Sequence, residues 1–175
     1  MKEYTQLKEH YKFTEEEALI LKKLQPRMEK LADTFIDEFY DYIWGFGRTA
    51  KYLKNNEIIS RHKIKIKAWF INLFSGKYDI SYFLSIYKIG EIHVQIGLPT
   101  HYVNSAFTFV RTFVLKSIEE NFENKEQHVR EINAVEKIID MNLDVLTSSY
   151  REEERGKCLS LSRTEKGILS SLKKF

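Results

Sequence analysis

Apolar residues in this 175-residue chain recur at three- and four-residue intervals with few interruptions, the pattern of helices packed on one another. Two prolines and seven glycines are the only strong breakers, which leaves room for long helices. In Thr14-Glu15-Glu16-Glu17 the Thr14 hydroxyl is spaced to accept the Glu17 amide while the Glu17 carboxylate reaches back, so a core helix begins near residue 15. Pro26 suits a first helical turn and is expected to open a separate segment over about 26–44, closed by Gly45 and Gly47. Residues 56–75 form the next helix, ended by Gly76. The alternation KIKIK over 63–67 imitates a strand, but its continuation into AWFINLF favours a helix. Asp79 caps a helix over about 80–96, which Gly97 and Pro99 end; Thr100 caps a long one to about 124. A last helix runs from about 126 to 154 or beyond. The pattern predicts an all-α chain of roughly seven to eight helices, without internal repeats. Leu159, Leu161, Ile168, Leu169 and Leu172 follow in loose heptad-like spacing. Residues 1–154 therefore read as one domain, and 155–175 as the start of a connector helix to an output module outside this chain.

Two histidines break this pattern. On a helical wheel for 79–97, His93 falls on an apolar stripe with Tyr82, Ile86, Ile89 and Ile96, flanked by Gly90 and Gly97. Glycine destabilises a helix by roughly 0.5–1 kcal/mol relative to alanine, so a pair beside an imidazole implies a purpose. The expected purpose is to clear the way for a flat partner. On a second wheel, for 58–73, His62 lies at the centre of a stripe made by Ile58, Ile59, Ile66, Trp69 and Leu73. A histidine on an apolar face is most often a core residue bonded to a backbone carbonyl, because burying a polar ring needs a partner. Two of them on separate stripes, one beside glycines, point further. An iron-porphyrin asks for an axial imidazole, an apolar and aromatic slot, and close backbone approach. Zinc fits less well, since its other ligands would come from His10, His101, His128 or carboxylates at no recognisable spacing.

Composition narrows the alternatives. Hydrophobic residues make up 43% and aromatics 14%, enough for a core able to surround something large. A net charge of +3, from 28 basic and 25 acidic residues, gives no reason to expect nucleic acid. The basic run from His62 to Lys67 reads as a solvated helix face. The single cysteine, Cys158, excludes a disulfide scaffold, a Cys-rich zinc site and covalent haem attachment. The N-terminus has no secretory h-region, and the strongest apolar run, FTFVRTFVL, is broken by Arg111 and too short to cross a bilayer. A cytoplasmic location without membrane contact is expected.

The stretch Ile89-Gly90-Glu91-Ile92-His93-Val94-Gln95-Ile96-Gly97-Leu98 resembles the proximal segment of the globin-coupled sensors, whose pattern reads I-G-x-x-H-x-x-I-G-L followed by a proline and a Trp-Tyr pair. Phe39-Tyr40 in DEFYDYIW resembles that family's Phe-Tyr, and Phe74-Ser75-Gly76 its distal-helix terminus. The resemblance covers about residues 15–150. It implies a globin fold with an extra N-terminal helix, a b-type haem held by His93, and a distal Tyr40 whose hydroxyl donates to the bound gas. On the wheel for 28–46 alone, Tyr40 lies at the edge of the stripe of Met28, Leu31, Phe35, Phe39 and Tyr42 and reads as partly exposed.

This chain departs from the family twice. Tyr102-Val103 stand where many members carry Trp-Tyr, so a tyrosine that would bond the proximal imidazole is missing. His62 stands where relatives commonly carry an apolar distal residue. It is a candidate second iron ligand, a hydrogen-bond donor to the bound gas, or a structural residue. From the distal side and the two flanking helices, the expected cofactor contacts are Phe39, Tyr40, His62, Ile66, Trp69, Tyr102 and Phe107. From the proximal helix they are Ile89, Gly90, His93 and Ile96.

The function that follows is a haem-based gas sensor, with oxygen the first candidate ligand and carbon monoxide or nitric oxide also able to bind. Ligation would be relayed through the two long C-terminal helices, whose stripes are Val103, Phe107, Val110, Val114 and Ile118 on one and Ile132, Val135, Ile139, Leu143 and Leu146 on the other. In the family these helices form a dimer seam, so a homodimer is implied. A haem-free globin-like interaction module is the alternative from another class. A haem enzyme such as a nitric oxide dioxygenase is the third, although no reductase sequence or catalytic triad accompanies it. The domain is expected not to be an enzyme.

Overall fold

A computed structural model of the chain describes residues 2–47, 51–53, 55–119 and 124–172, with side chains described between 6 and 154. The described residues form six helices: α1 (Lys2–His10), α2 (Glu15–Trp44), α3 (Asn56–Asn72), α4 (Ile80–Gln95), α5 (Thr100–Glu119) and α6 (Lys125–Leu172). The all-α expectation holds, with fewer and longer helices than the breakers suggested.

The start of α2 matches the sequence pattern. Thr14 Oγ1 accepts the Glu17 amide at 3.2 Å, and the Thr14 amide donates to Glu17 Oε2 at 2.7 Å. Glu17 also receives Lys137 Nζ from α6 at 2.6 Å, so the cap is tied into the fold. Replacing Thr14 with alanine is expected to lower unfolding free energy by about 1 kcal/mol, readable as a lower urea midpoint at unchanged slope.

Pro26 is a correction. It lies inside α2 and does not open a new helix. A mid-helix proline removes one hydrogen bond and crowds the preceding turn, at about 3 kcal/mol. Leu21, Leu24, Met28, Ala32 and Phe35 are buried on both sides of it, and one unbroken apolar stripe outweighs that local penalty.

The helices pair so that α4 and α5 both pack on α6, while α2 packs on α3, α5 and α6. Phe35 of α2 stacks on Phe70 of α3 with centroids 3.9 Å apart, and Phe113 of α5 meets Phe35 edge-on at 5.3 Å. Between α4 and α6 the buried Asn142 amide donates to the Tyr82 hydroxyl and to the Ile138 carbonyl, each at 2.8 Å. Arg111, the charge that interrupts FTFVRTFVL, crosses from α5 to pair with Glu136 at 2.8 Å and with Asp140 on α6. The expected stripes of α5 and α6 are largely spent inside this core: Val103, Phe107, Val110, Val114, Ile118, Val135, Ile139 and Leu146 are all buried within one chain. Among the described residues no helix is long and apolar enough to cross a membrane.

α3 packs on α2 and α4 on α6, and no substantial helix packing joins α3 to α4. His62 is on one of these helices and His93 on the other.

Candidate haem site

His93 lies in the last turn of α4. Its ring is mostly buried, and Nδ1 has no hydrogen-bond partner. Burial pushes its pKa down to about 4, and the nearby His62 adds to the shift. The imidazole is therefore neutral at physiological pH, with a lone pair available. An unpartnered buried nitrogen is unfavourable by about 1–3 kcal/mol, and His93 shares this state with Trp69 Nε1 on α3.

His62 approaches from α3. Its Nδ1 lies 2.6 Å from the Tyr40 hydroxyl oxygen, and that hydroxyl donates to the Ile59 carbonyl at 3.3 Å. The short Tyr40–His62 contact fixes the orientation of the imidazole through Nδ1, and Nε2 is the ring nitrogen it leaves unengaged. Burial lowers the His62 pKa, helped by Lys65. Tyr40 is 2% exposed, not partly exposed as its wheel position suggested, and burial raises its pKa to about 12. It is therefore a standing proton donor on the α3 side.

Two lysines of the basic run beside His62 are paired with α2. Lys63 pairs with Asp37 at 3.6 Å and Lys67 with Asp33, while Lys63 Nζ sits 4.9 Å over the Tyr40 ring.

The other expected contacts divide. Trp69 and Phe107 meet edge-on at 5.5 Å, linking α3 to α5, and Trp69 Nε1 is buried without a hydrogen-bond partner. Ile66 and Ile89 are half-buried against the core, and Tyr102 packs on Phe46 at 6.1 Å. Phe39 belongs to the aromatic cluster of Phe35 and Phe109, with centroids 5.7 and 5.8 Å away. Ile96 departs from its expected stripe and is 49% exposed. Sequence reasoning gave no role to Tyr52 and Tyr150, which bond the turn after α4; their signal is two tyrosines near apolar stripes, too common to stand out.

Gly90 does not clear space for a flat ligand. A Cβ on Gly90 would lie 2.2 Å from the Leu146 carbonyl oxygen and 2.4 Å from Ser149 Oγ, so its missing side chain admits α6. Gly97 has φ +68° and open space around it. It ends α4 in a left-handed residue, with Gly97 N–H donating to the Val94 carbonyl and Leu98 N–H to the His93 carbonyl, each at 2.9 Å. One glycine seats the helix and the other terminates it.

The residues present fit an iron-porphyrin. Two neutral imidazoles within electrostatic reach of each other lie on helices that do not pack substantially together, and the same helices carry the half-buried Ile66, Trp69 and Ile89. Among the described residues no three His, Cys, Asp or Glu side chains converge, so the zinc alternative has no ligand set.

The profile of the Protoglobin family matches residues 1–155, and the chain belongs to that family. Its structure is similar to the globin domain of the Geobacter sulfurreducens globin-coupled sensor, with TM-score 0.81 and 42% identity over 84% of this chain and 97% of that one. The ferrous globin domain of Escherichia coli DosC shares the fold at TM-score 0.70 and 19% identity, over 82% of this chain and 99% of that one. The Halobacterium salinarum protein named heme-based aerotactic transducer HemAT is 28% identical over 98 residues. That match covers 55% of this chain and spans only 20% of HemAT. The globin fold expected from the sequence is thus established.

Proposed function

We propose that this chain is a haem-b-binding gas-sensor domain of a signal-transduction protein, with His93 as the protein ligand to iron. The observation that carries the reading is the state of His93: neutral, buried, unclaimed at Nδ1, and close enough to His62 for that imidazole to lower its pKa. The relatives named as a globin-coupled sensor and a heme-based aerotactic transducer support it. Haem, when bound, would supply an iron able to take a diatomic gas. His93 would anchor it, Trp69 and Phe107 would exclude water from one flank, and the Tyr40 hydroxyl, turned from Ile59, would donate to a polar ligand. Oxygen is the first candidate, because a donor such as Tyr40 favours a ligand that gathers negative charge.

His62, buried on α3 and close enough to His93 to lower its pKa, is read as a second iron ligand in the gas-free state. A gas would then have to displace it, and apparent affinity would fall by the fraction of sites that are open. The ferric protein is expected to be six-coordinate and low-spin, and His62→Leu to turn it high-spin. A low-spin spectrum unchanged in His62→Leu removes His62 from the iron.

Purified protein tests the whole reading. A strong Soret band at one haem per chain is expected, while a colourless protein that refuses added haem supports the haem-free interaction module instead. We also place a homodimer on the outer faces of α5 and α6, where Val129 is exposed and α6 continues to Leu172. Light scattering of the holo-protein should then give twice the chain mass.

A further inference from the structure

The backbone that carries His93 is hydrogen-bonded to α6 through one residue. Leu98 donates its amide to the His93 carbonyl at 2.9 Å, and its own carbonyl accepts the Tyr150 hydroxyl of α6 at 2.9 Å. The neighbouring Gly97 carbonyl accepts the Tyr52 hydroxyl at 2.9 Å, from the segment that precedes α3. The turn after α4 is thus gripped by two tyrosines. Burial, with Tyr52 and Glu153 nearby, raises the Tyr150 pKa to about 12, so this phenol remains a donor.

α4 is held very differently along its length. It is pinned to α6 in its first turn, where Tyr82 bonds Asn142, and again where Gly90 admits the Leu146 carbonyl. Its last turn is not wedged in the same way, since Ile92 and Ile96 are 50% and 49% exposed. His93 lies beyond the second of these contacts.

We propose that Tyr150 is a positioning residue that couples His93 to α6: through the Leu98 carbonyl it holds the last turn of α4, and it transmits displacement of that turn to the helix leaving the domain. This rests on the haem reading above and adds the route by which ligation leaves the site. The Tyr52 bond to Gly97 steadies the opposite side of the same turn and is not on the route.

Hydrogen–deuterium exchange on the ferrous holo-protein, with and without carbon monoxide, tests the route. In the wild type, the gas should alter exchange in residues 93–98 and also in 146–154. Tyr150→Phe deletes one hydroxyl; it should keep the Soret band and the response at 93–98, while the response at 146–154 shrinks at least about twofold. Tyr52→Phe, the parallel control, should keep both responses. A response in α6 that is the same in Tyr150→Phe as in the wild type overturns the coupling, as does an equal loss in Tyr52→Phe. Should Tyr150→Phe fail to fold, the wild type decides alone: a response at 93–98 that never reaches 146–154 overturns the proposal. A wild type with a Soret band but no coupling sinks this route and leaves the sensor reading standing, whereas a wild type without haem sinks both.

Discussion

His93→Ala is expected to cost the protein its haem. His93 is the proposed anchoring ligand to iron, and its Nδ1 is buried without a protein partner. Changes one shell further from a metal typically weaken binding 10–100-fold, so loss of the ligand itself should weaken haem affinity at least about 100-fold. The measurement is the Soret absorbance retained after gel filtration, compared with wild type. The apo fold should survive, because His93 contributes little to the core formed by α2, α5 and α6. Added imidazole should restore part of the absorbance by occupying the space left by the ring. Full haem retention in His93→Ala, with an unchanged ferric spectrum, would assign the iron to another residue and end the proposal.

Gly90→Ala should produce the largest loss of stability among single-methyl changes. The added Cβ would sit 2.2 Å from the Leu146 carbonyl oxygen and 3.1 Å from its carbonyl carbon. Both belong to the α6 backbone, so no side-chain rotation relieves the overlap, and α4 and α6 must move apart. Alanine gains up to about 1 kcal/mol in helix propensity over glycine. Overpacking against fixed backbone exceeds that, and a net loss of about 3 kcal/mol is expected, or roughly 10 °C in Tm for a domain of this size. Chemical denaturation of the apo-protein isolates this effect from haem binding. A loss below about 0.5 kcal/mol would mean that α4 and α6 are not seated as described.

These two substitutions also separate what was legible in the chain from what was not. The I-G…H…I-G-L stretch pointed to His93, and both glycines were rightly taken as purposeful. The purpose of Gly90 was misassigned. A helical wheel shows which residues share a face, but not whether that face meets a ligand or another helix, and Gly90 meets α6. Gly97 was legible as a helix end, because positive φ after a helix is a local property that glycine announces. Tyr40 illustrates the same division. Its wheel position says half-exposed, whereas the crossing of α2 and α3 buries it and aims its hydroxyl at His62.

The sequence by itself determined where helices begin and end, through Thr14, Asp79, Gly97 and the apolar stripes, and it singled out His62 and His93. Those are properties of residues within a turn or two of one another. Tertiary structure alone decided that α2 runs through Pro26, that α6 claims the space at Gly90, and that Tyr40 grips His62 and Tyr150 grips Leu98. Each joins residues from different helices, or sets a local preference against burial summed over a whole stripe, and only the packed chain fixes that sum.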